Sequence, residues 1–288
     1  MSIKGESVQE RTLYVVATPI GNLADISHRA LSVLSGVDLI AAEDTRHTRK
    51  LLTHFSLDKP LISLHEHNER EKTSVLIEKL MSGQSIALVS DAGTPLISDP
   101  GYPLVNACRQ QDLSVVPIPG PSAIISALSV SGLPTDSFRF CGFPPRQSGK
   151  RKDFYKEFIK DSATLVFYES SHRIKESLAD CLTVFGKDRE AVIARELTKM
   201  FETVLTGTFE TLCEQLSNDD NQSKGEFVVM VKGQVRDESA TSTSIDVETL
   251  LEALLEELPV KKAAALTAKL TGKKKNDLYQ QALALKKD

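Results

Sequence analysis

The sequence alternates regularly between short apolar runs and longer stretches with helical periodicity, and this pattern constrains the fold more than any other feature. The runs are rich in β-branched residues and occupy positions 13–17, 37–42, 85–90, 114–117, 163–168, 191–194 and 227–231. Parallel strands are buried on both faces, so they read as continuous apolar runs, and each is followed by a crossover helix. The alternation therefore predicts an α/β fold with parallel sheets, and 288 residues are enough for two domains.

Two polar stretches interrupt the alternation. Residues 142–152, G-F-P-P-R-Q-S-G-K-R-K, combine prolines, glycines and cations, which indicates an interdomain linker. Residues 233–244 are rich in Ser and Thr, which is typical of a flexible tether. Three short helical patterns follow the tether, at 247–258, 260–270 and 275–285, separated by Pro259 and by Thr271-Gly272.

The charge is distributed unevenly along the chain. Residues 261–287 hold eight lysines and one acid, Asp277, which gives +7. Since the whole chain carries −4 and Asp288 contributes −1, residues 1–260 carry −10. A basic tail on an acidic body indicates a polyanionic partner, although a lysine cluster taken alone is more often a solvated helix face.

Composition excludes several classes of protein. Trp is absent and aromatic residues make up 6% of the chain, too few for a broad base-stacking platform. The four cysteines form no C-x-x-C pair, which excludes a zinc knuckle and argues against a disulfide scaffold. The sequence has neither an apolar signal core near its N-terminus nor a run of 18 apolar residues, so we expect a cytoplasmic enzyme that does not enter the membrane.

Polar residues directly follow five of the predicted strands. These segments are T-P-I-G-N-L-A-D (18–25), E-D-T-R (43–46), S-D-A-G-T-P-L-I-S-D-P-G (90–101), E-S-S-H-R (169–173) and R-E-L-T-K (195–199). Ligands of open α/β sheets bind beyond the carboxyl ends of the strands. The convergence of so many polar groups therefore predicts a polar cleft at that edge.

The motifs narrow the choice of ligand. The sequence contains no P-loop, no G-x-G-x-x-G after a strand and no G-x-S-x-G elbow. His65-Glu66-His67 resembles a metal motif but has no obvious third ligand, so we predict no metal. The Gly- and Pro-containing turns at 91–95 and 117–123 would let the backbone approach an adenosine and an amino acid closely. Taken alone, the second turn could equally be a helix start.

Seven segments in order carry a family resemblance: residues 18–25, 41–46, 90–101, 119–123 (P-G-P-S-A), 167–173 (F-Y-E-S-S-H-R), 194–199 (A-R-E-L-T-K) and 224–229 (K-G-E-F-V-V). Together they resemble the tetrapyrrole methylase superfamily, the class III S-adenosylmethionine methyltransferases, over roughly residues 12–285. Within it the chain is most similar to the branch that methylates a cytidine ribose 2′-oxygen in 16S rRNA. The corrinoid-making members carry G-x-G-P-G-D-P after the first strand, whereas residues 17–25 here read A-T-P-I-G-N-L-A-D, which disfavours a tetrapyrrole substrate.

The resemblance implies two α/β domains, residues 12–120 and 121–232, with S-adenosylmethionine in the cleft between them, and a small lysine-rich helical module over 245–286. The cofactor residues that it implies are Pro19, Asp91, Gly93, Thr94, Ser122, Ala123, Tyr168, Ala194, Leu197 and Glu226.

A ribose hydroxyl attacking a sulfonium methyl needs to be held in place and needs a group to take its proton. The candidate proton acceptors are Glu43, Asp44 and Glu169, and the candidate phosphate-positioning cations are Arg46, Arg195 and Lys199. An ordinary ion pair is the alternative for each of them.

The same resemblance favours RNA binding by the basic segments. The predicted phosphate contacts are Arg146, Lys150, Arg151, Lys152, Lys261, Lys262, Lys273, Lys274 and Lys275. The expected partner is 16S rRNA of the small subunit, near its decoding region, and the expected assembly is a homodimer. Two other functions stay open: methylation of a tetrapyrrole or another small metabolite, and a non-catalytic role in ribosome assembly.

Overall fold

The computed structural model describes residues 8–234 and 247–285. The chain divides after Gly233 into two compact units. The first unit contains two five-stranded sheets with their helices, and the second contains helices only. In the described ranges, no helix has the length and hydrophobicity that a membrane crossing needs.

The first sheet is entirely parallel, as predicted. Its strands are β1 (Thr12–Val16), β2 (Leu39–Ala42), β3 (Leu61–Ser63), β4 (Ile86–Val89) and β5 (Ser114–Ile118), in the order β3-β2-β4-β1-β5. The helices α1 (His28–Gly36), α2 (Thr45–His54), α3 (Glu69–Met81) and α4 (Tyr102–Gln110) connect these strands. Both faces of the sheet are buried: Ile86 and Leu88 belong to one apolar cluster, and Ala87 and Val89 belong to another. This two-sided burial explains the continuous apolar runs of the sequence.

The second sheet is mixed, so the prediction of a parallel sheet is wrong for this half. Its strands are β6 (Phe138–Phe140), β7 (Thr164–Ser170), β8 (Glu190–Arg195), β9 (Thr203–Thr208) and β10 (Glu226–Val231), in the order β6-β7-β10-β8-β9. Only β6 and β7 are parallel, and the other three pairs are antiparallel. Residues 196–202 between β8 and β9 are too few for a crossover helix, so these two strands pair as neighbours.

The chain passes from the first sheet to the second at residues 119–122, immediately before α5 (Ala123–Ser131). Ile124 and Leu128 of α5 pack against Val166 and Val228 of the second sheet. The prediction of a linker over 142–152 is therefore wrong, since residues from Ser148 onwards form α6 (Ser148–Lys156), which packs within the second half.

The remaining helices of the first unit are α7 (Ile174–Phe185) and α8 (Phe209–Asn218). They cover one face of the second sheet, where Phe167, Ile193 and Phe209 share an apolar core. The division of this unit at residues 12–120 and 121–232 stays a prediction. All four cysteines are free.

The second unit contains α9 (Val247–Glu257), α10 (Val260–Thr271) and α11 (Lys275–Leu285), which match the three predicted helical patterns. Leu251, Ala263 and Ala282 form its small core. Pro259 precedes α10, and Gly272 ends it in the left-handed conformation with φ +71°. The predicted tether lies outside the described residues from position 235 onwards, as do residues 245, 246 and 286 of the predicted module and Lys286 and Lys287 of the basic tail.

Candidate functional site

A cavity of about 500 Å³ lies between the two sheets of the first unit. The first sheet contributes segments that follow the carboxyl ends of β1, β2, β4 and β5, where ligands of α/β sheets bind. The second sheet contributes the ends of β7 and β8 and the start of β10. Nine of the ten predicted cofactor residues line this cavity: Asp91, Gly93, Thr94, Ser122, Ala123, Tyr168, Ala194, Leu197 and Glu226. The tenth, Pro19, is not part of the lining, but its neighbour Ile20 is.

Backbone hydrogen bonds fix the turn after β4. The Thr18 N–H donates to the Gly93 carbonyl at 2.9 Å, and the Gly93 N–H donates back to the Thr18 carbonyl at 3.0 Å. Thr94 Oγ1 donates to the Pro121 carbonyl at 3.2 Å, which joins this turn to the turn after β5. Gly93 has φ +81°, a conformation that L side chains rarely adopt. A Cβ there would approach Ile20 at 3.4 Å, so backbone conformation restricts this position more than space does.

Four non-glycine residues have positive φ in two loops that line the cavity, the loop after β4 and the loop after β8. Leu96 and Ser98 have φ of 72° and 67° in the loop after β4, and Glu196 and Thr198 have φ of 49° and 65° in the loop after β8. Such conformations cost energy and concentrate at binding and catalytic sites. Both loops are therefore held in shapes that sequence preference alone would not select.

Three carboxylates meet at the first-sheet side of the cavity: Glu43, Asp91 and Asp99. Burial, together with the negative charges of Glu43 and Asp91, raises the pKa of Asp99 to about 6. Burial also raises the pKa of Glu43, with smaller contributions from the charges of Asp91 and Glu66. The Asp91 N–H donates to Glu43 Oε2 at 3.3 Å, and Asp91 Oδ1 accepts from the Asp44 N–H at 3.0 Å. This negative field favours a ligand that carries positive charge.

Glu169 contributes a fourth carboxylate from β7. Its side chain is only 1% exposed, and its Oε1 accepts from Arg173 Nη2 at 2.8 Å and from the Ser170 N–H at 2.8 Å. Its Oε2 is buried and has no hydrogen-bond partner within the described residues. A buried carboxylate oxygen without a partner is costly, so this atom is suited to accept a hydrogen bond from a ligand.

The opposite wall of the cavity is largely apolar. Tyr168, Ala194, Leu197 and Val228 line it. The Tyr168 ring lies 5.3 Å from the Phe143 ring, centroid to centroid, and burial raises the pKa of Tyr168 to about 12. Phe143 remains 55% exposed. A flat, partly apolar ring system fits this wall.

The other predicted catalytic residues lie outside the cavity lining. Asp44 caps α2 and pairs with Arg46 Nη2 at 2.7 Å. That hydrogen bond keeps the pKa of Asp44 well below its usual range, so Asp44 is a poor proton acceptor. Arg46 is 87% exposed. Burial lowers the pKa of Lys199, but hydrogen bonds to Glu196 and Glu226, both at 2.9 Å, outweigh it and raise the pKa overall.

Two predicted arginines are structural. Arg195 is 7% exposed, and it donates to the Lys224 carbonyl at 2.6 Å and to the Phe201 carbonyl at 2.9 Å. Arg151 is 1% exposed, and its Nη2 pairs with Asp180 at 2.7 Å. The prediction that Arg151 contacts RNA is wrong, because its guanidinium is buried and bound within the protein.

The sequence interpretation missed several residues of the cavity. Asp99 lies in the segment 90–101, but only the first half of that segment was assigned a role. The available signal was a second Ser-Asp pair in the same loop, Ser98-Asp99, which is followed by Pro-Gly. Ile97 and Phe143 were missed because isolated apolar residues in loops give no periodic signal.

The His65–His67 pair does not extend to a metal site. The two rings lie 5.9 Å apart, centroid to centroid. Within residues 8–234 and 247–285, no group of three or more His, Cys, Asp or Glu side chains is arranged to hold a metal ion.

Comparison with protein families gives two matches along the chain. The profile of the tetrapyrrole (corrin/porphyrin) methylases matches residues 12–213, most of the chain. The chain belongs to this family. A second profile, the RsmI C-terminal HTH domain, matches residues 241–286, the region of α9, α10 and α11.

Relatives with high sequence identity align with nearly the whole of this chain and over nearly the whole of their own length. A ribosomal RNA small subunit methyltransferase I of Vibrio cholerae serotype O1 is 56% identical over 271 residues, which is 94% of each chain. The protein with that name from Escherichia coli O157:H7 is 52% identical over 94% of each chain. This methylase is thus similar to both relatives along its α/β unit and its helical unit.

Solved structures with low sequence identity support the fold alone. Diphthine synthase superposes with a TM-score of 0.58 at 16% identity, and the match covers 77% of this chain and 90% of that one. Cobalt precorrin-4 methyltransferase superposes with a TM-score of 0.54 at 12% identity, covering 81% and 98%.

Proposed function

We propose that this methylase transfers a methyl group from S-adenosylmethionine to the 2′-oxygen of a cytidine ribose in 16S rRNA of the small ribosomal subunit, near its decoding region. The observation that carries the proposal is the 52–56% identity, over 94% of the chain, to relatives named as small-subunit rRNA methyltransferases. An alignment of this length includes both the residues that line the cavity and the lysine-rich helical unit.

The cavity has the chemistry that the methyl donor requires. S-adenosylmethionine carries a positive sulfonium and a positive ammonium group, and the carboxylates of Glu43, Asp91 and Asp99 attract such charges. Its adenine would lie against the apolar wall of Tyr168, Leu197 and Val228. The turn at Gly93 and the turn at Ser122-Ala123 would contact the amino-acid portion through backbone groups.

When bound, the donor supplies an electrophilic methyl group whose leaving group, S-adenosylhomocysteine, is neutral. The enzyme's own task is to position the ribose hydroxyl and to take its proton. Among the predicted acceptors, Glu43 fits best, because it lines the cavity and has a raised pKa. Glu169 is held by Arg173 and its free oxygen suits a hydrogen bond to a ligand better than proton transfer. Arg46 lies at the exposed start of α2 and would position a phosphate.

The helical unit provides a cationic surface for RNA. Lys261 and Lys262 are exposed at the start of α10, and Lys273, Lys274 and Lys275 are exposed where α10 gives way to α11. Lysines in such positions bind phosphates without reading sequence. On the α/β unit, Arg146 and Lys150 are exposed, and we propose that they also contact RNA phosphates. Lys152 is only partly available, since its Nζ lies 3.4 Å from Asp180 Oδ1.

We also propose a homodimer and a cytoplasmic location. The loop after β8 exposes Met200 at 90% and Phe201 at 65%, and adjacent exposed apolar side chains favour an interface with a second copy. The proposed substrate implies the cytoplasm, where ribosomal subunits are assembled.

Methyl transfer separates this function from the two alternatives. The full chain is incubated with radiolabelled S-adenosylmethionine and either small subunits from a strain that lacks the modification or a porphyrinogen. We expect label in the rRNA only. Label in the porphyrinogen would support a small-molecule methylase, and donor binding without any transfer would support a non-catalytic assembly factor.

A further inference from the structure

The exposed face of α2 forms a cationic stripe, and of its three cations only Arg46 has a role in the proposed function. Arg46, Arg49 and Lys50 are exposed, whereas Thr48, Leu51 and Leu52 are buried. Residues three and four apart lie on the same face of a helix, so the three cations share one side. A shallow groove runs along this side, lined by Thr45, Arg46, Arg49, Lys50, Thr53 and His54. No acidic residue lies within α2.

Two cations of this stripe have no side-chain partner among the residues that the structure describes. Arg46 is partly neutralised by Asp44 at 2.7 Å. By contrast, Arg49 and Lys50 form no ion pair and no side-chain hydrogen bond with any residue that the structure describes. They stand in a segment, residues 1–260, whose net charge is −10. Two adjacent unpaired cations in an acidic body attract a polyanion locally rather than through the overall field.

The stripe begins at the rim of the cavity. Glu43 lines the cavity, and α2 starts two residues later at Thr45. The Asp44 N–H donates to Asp91 Oδ1 at 3.0 Å, so the first turn of α2 is tied to the cavity wall. Arg49 and Lys50 follow about one helical turn further on, roughly 4.5 to 6 Å along the axis from Arg46 at 1.5 Å per residue.

We propose that the exposed face of α2 binds the ribose–phosphate backbone of the RNA strand that flanks the methylated nucleotide. The inference rests on the proposed function, since a nucleotide that enters the cavity must bring its flanking phosphates past the rim. This contact site lies on the α/β unit itself and is distinct from the lysines of α10 and α11. Arg49 and Lys50 would act as positioning residues for the substrate rather than as catalytic residues.

The test compares two full-length double variants with matched charge loss. In R49Q/K50Q the unpaired cations of α2 are removed. In the control, K79Q/R109Q, two cations are removed from the last turns of α3 and α4. In parallel α/β units these helix ends lie at the sheet edge opposite the ligand-binding edge. Methylation of small subunits that lack the ribose methyl group is measured from 0.05 to about 0.3 M KCl at constant magnesium, and donor affinity is measured by calorimetry.

Each phosphate contact contributes about 0.7 to 0.9 to the slope of log affinity against log salt. For R49Q/K50Q we therefore expect the slope of log kcat/KM against log salt to be shallower than that of the unmodified protein by about 1.4 to 1.8. If the kcat/KM values of the variant and the unmodified protein become equal near 1 M salt, the kcat/KM of the variant is about 25- to 60-fold lower at 0.1 M salt. The loss should appear in KM for the subunit, with kcat and donor affinity unchanged. The control should behave as the unmodified protein does.

The proposal is overturned if R49Q/K50Q keeps the KM and the salt slope of the control. It is also overturned if kcat falls while KM and slope stay unchanged, because α2 would then act on the cavity and not on the RNA backbone. Failure of the proposed function gives a different result, namely no transfer to rRNA by the unmodified protein.

Discussion

Replacing Arg151 with Gln tests whether this cation is structural or binds RNA. The guanidinium is 1% exposed, its Nε donates to Asp180 Oδ2 at 2.7 Å, and its Nη1 donates to the Arg146 carbonyl at 3.0 Å. The Asp180 carboxylate is 8% exposed. Among the described residues, the substitution leaves it with Ser148 Oγ at 2.9 Å and Lys152 Nζ at 3.4 Å as partners. Removing one partner of a buried ion pair costs about 3 to 5 kcal/mol.

The measurement is thermal and urea unfolding of the variant beside Lys150→Gln, an exposed neighbour on the same helix. For a unit of this size, about 2 to 4 °C is lost per kcal/mol, so we expect the melting temperature to fall by roughly 6 to 20 °C. Lys150→Gln should change the free energy of unfolding by about 0.5 kcal/mol or less. If Arg151→Gln unfolds as the control does while its affinity for small subunits falls, the guanidinium binds RNA and the structural assignment is refuted.

Three further predictions concern the cavity and the helical unit. Glu43→Gln should lower kcat for rRNA methylation at least tenfold while donor affinity, measured by calorimetry, stays within a few-fold; equal losses in both would mean that Glu43 shapes the pocket instead. Because the pKa of Asp99 is raised to about 6 and a cationic donor prefers the ionised carboxylate, donor affinity should rise from pH 5 to pH 7. Asp99→Asn should remove most of that rise, and an unaltered pH profile would exclude Asp99 as its source. Deleting residues 240–288 should leave the α/β unit folded and donor binding intact but flatten the salt dependence of rRNA binding. Replacing Lys273, Lys274 and Lys275 with Gln should lower the slope of log rRNA affinity against log salt by up to about three. An unchanged slope in both variants would exclude the tail as an RNA anchor.

The sequence was sufficient for the elements that are long, apolar or buried on both faces. β1, β4 and the helices α9 to α11 could be located because their periodicity and their Gly and Pro boundaries are local signals. β6, with 3 residues, and β9, whose residues are mostly half-buried, gave no such signal. Strand direction in the second sheet was also missed, because pairing depends on partners distant in sequence and β10 pairs with both β7 and β8.

The cavity could be predicted as a location, but the state of each side chain could not. Polar segments after strands indicate an edge of the sheet, and most of the predicted cofactor residues do line the cavity. Whether a charged residue faces the cavity or an ion partner depends on tertiary contacts. Lys199 is held by two glutamates, and Arg151 is held by Asp180 across 29 residues. Sequence spacing contains no information about the pairs that are distant along the chain, Lys199–Glu226 and Arg151–Asp180.

In the proposed reaction, the cavity directs methyl transfer to a ribose 2′-oxygen of small-subunit rRNA. Alkaline hydrolysis of the labelled rRNA tests it most directly, because cleavage of the RNA chain requires a free 2′-hydroxyl. After incubation with the radiolabelled donor, we predict that the label is recovered in an alkali-resistant dinucleotide whose first nucleoside is 2′-O-methylcytidine. Label recovered in mononucleotides would mean methylation of a base and would exclude the ribose 2′-oxygen as the acceptor.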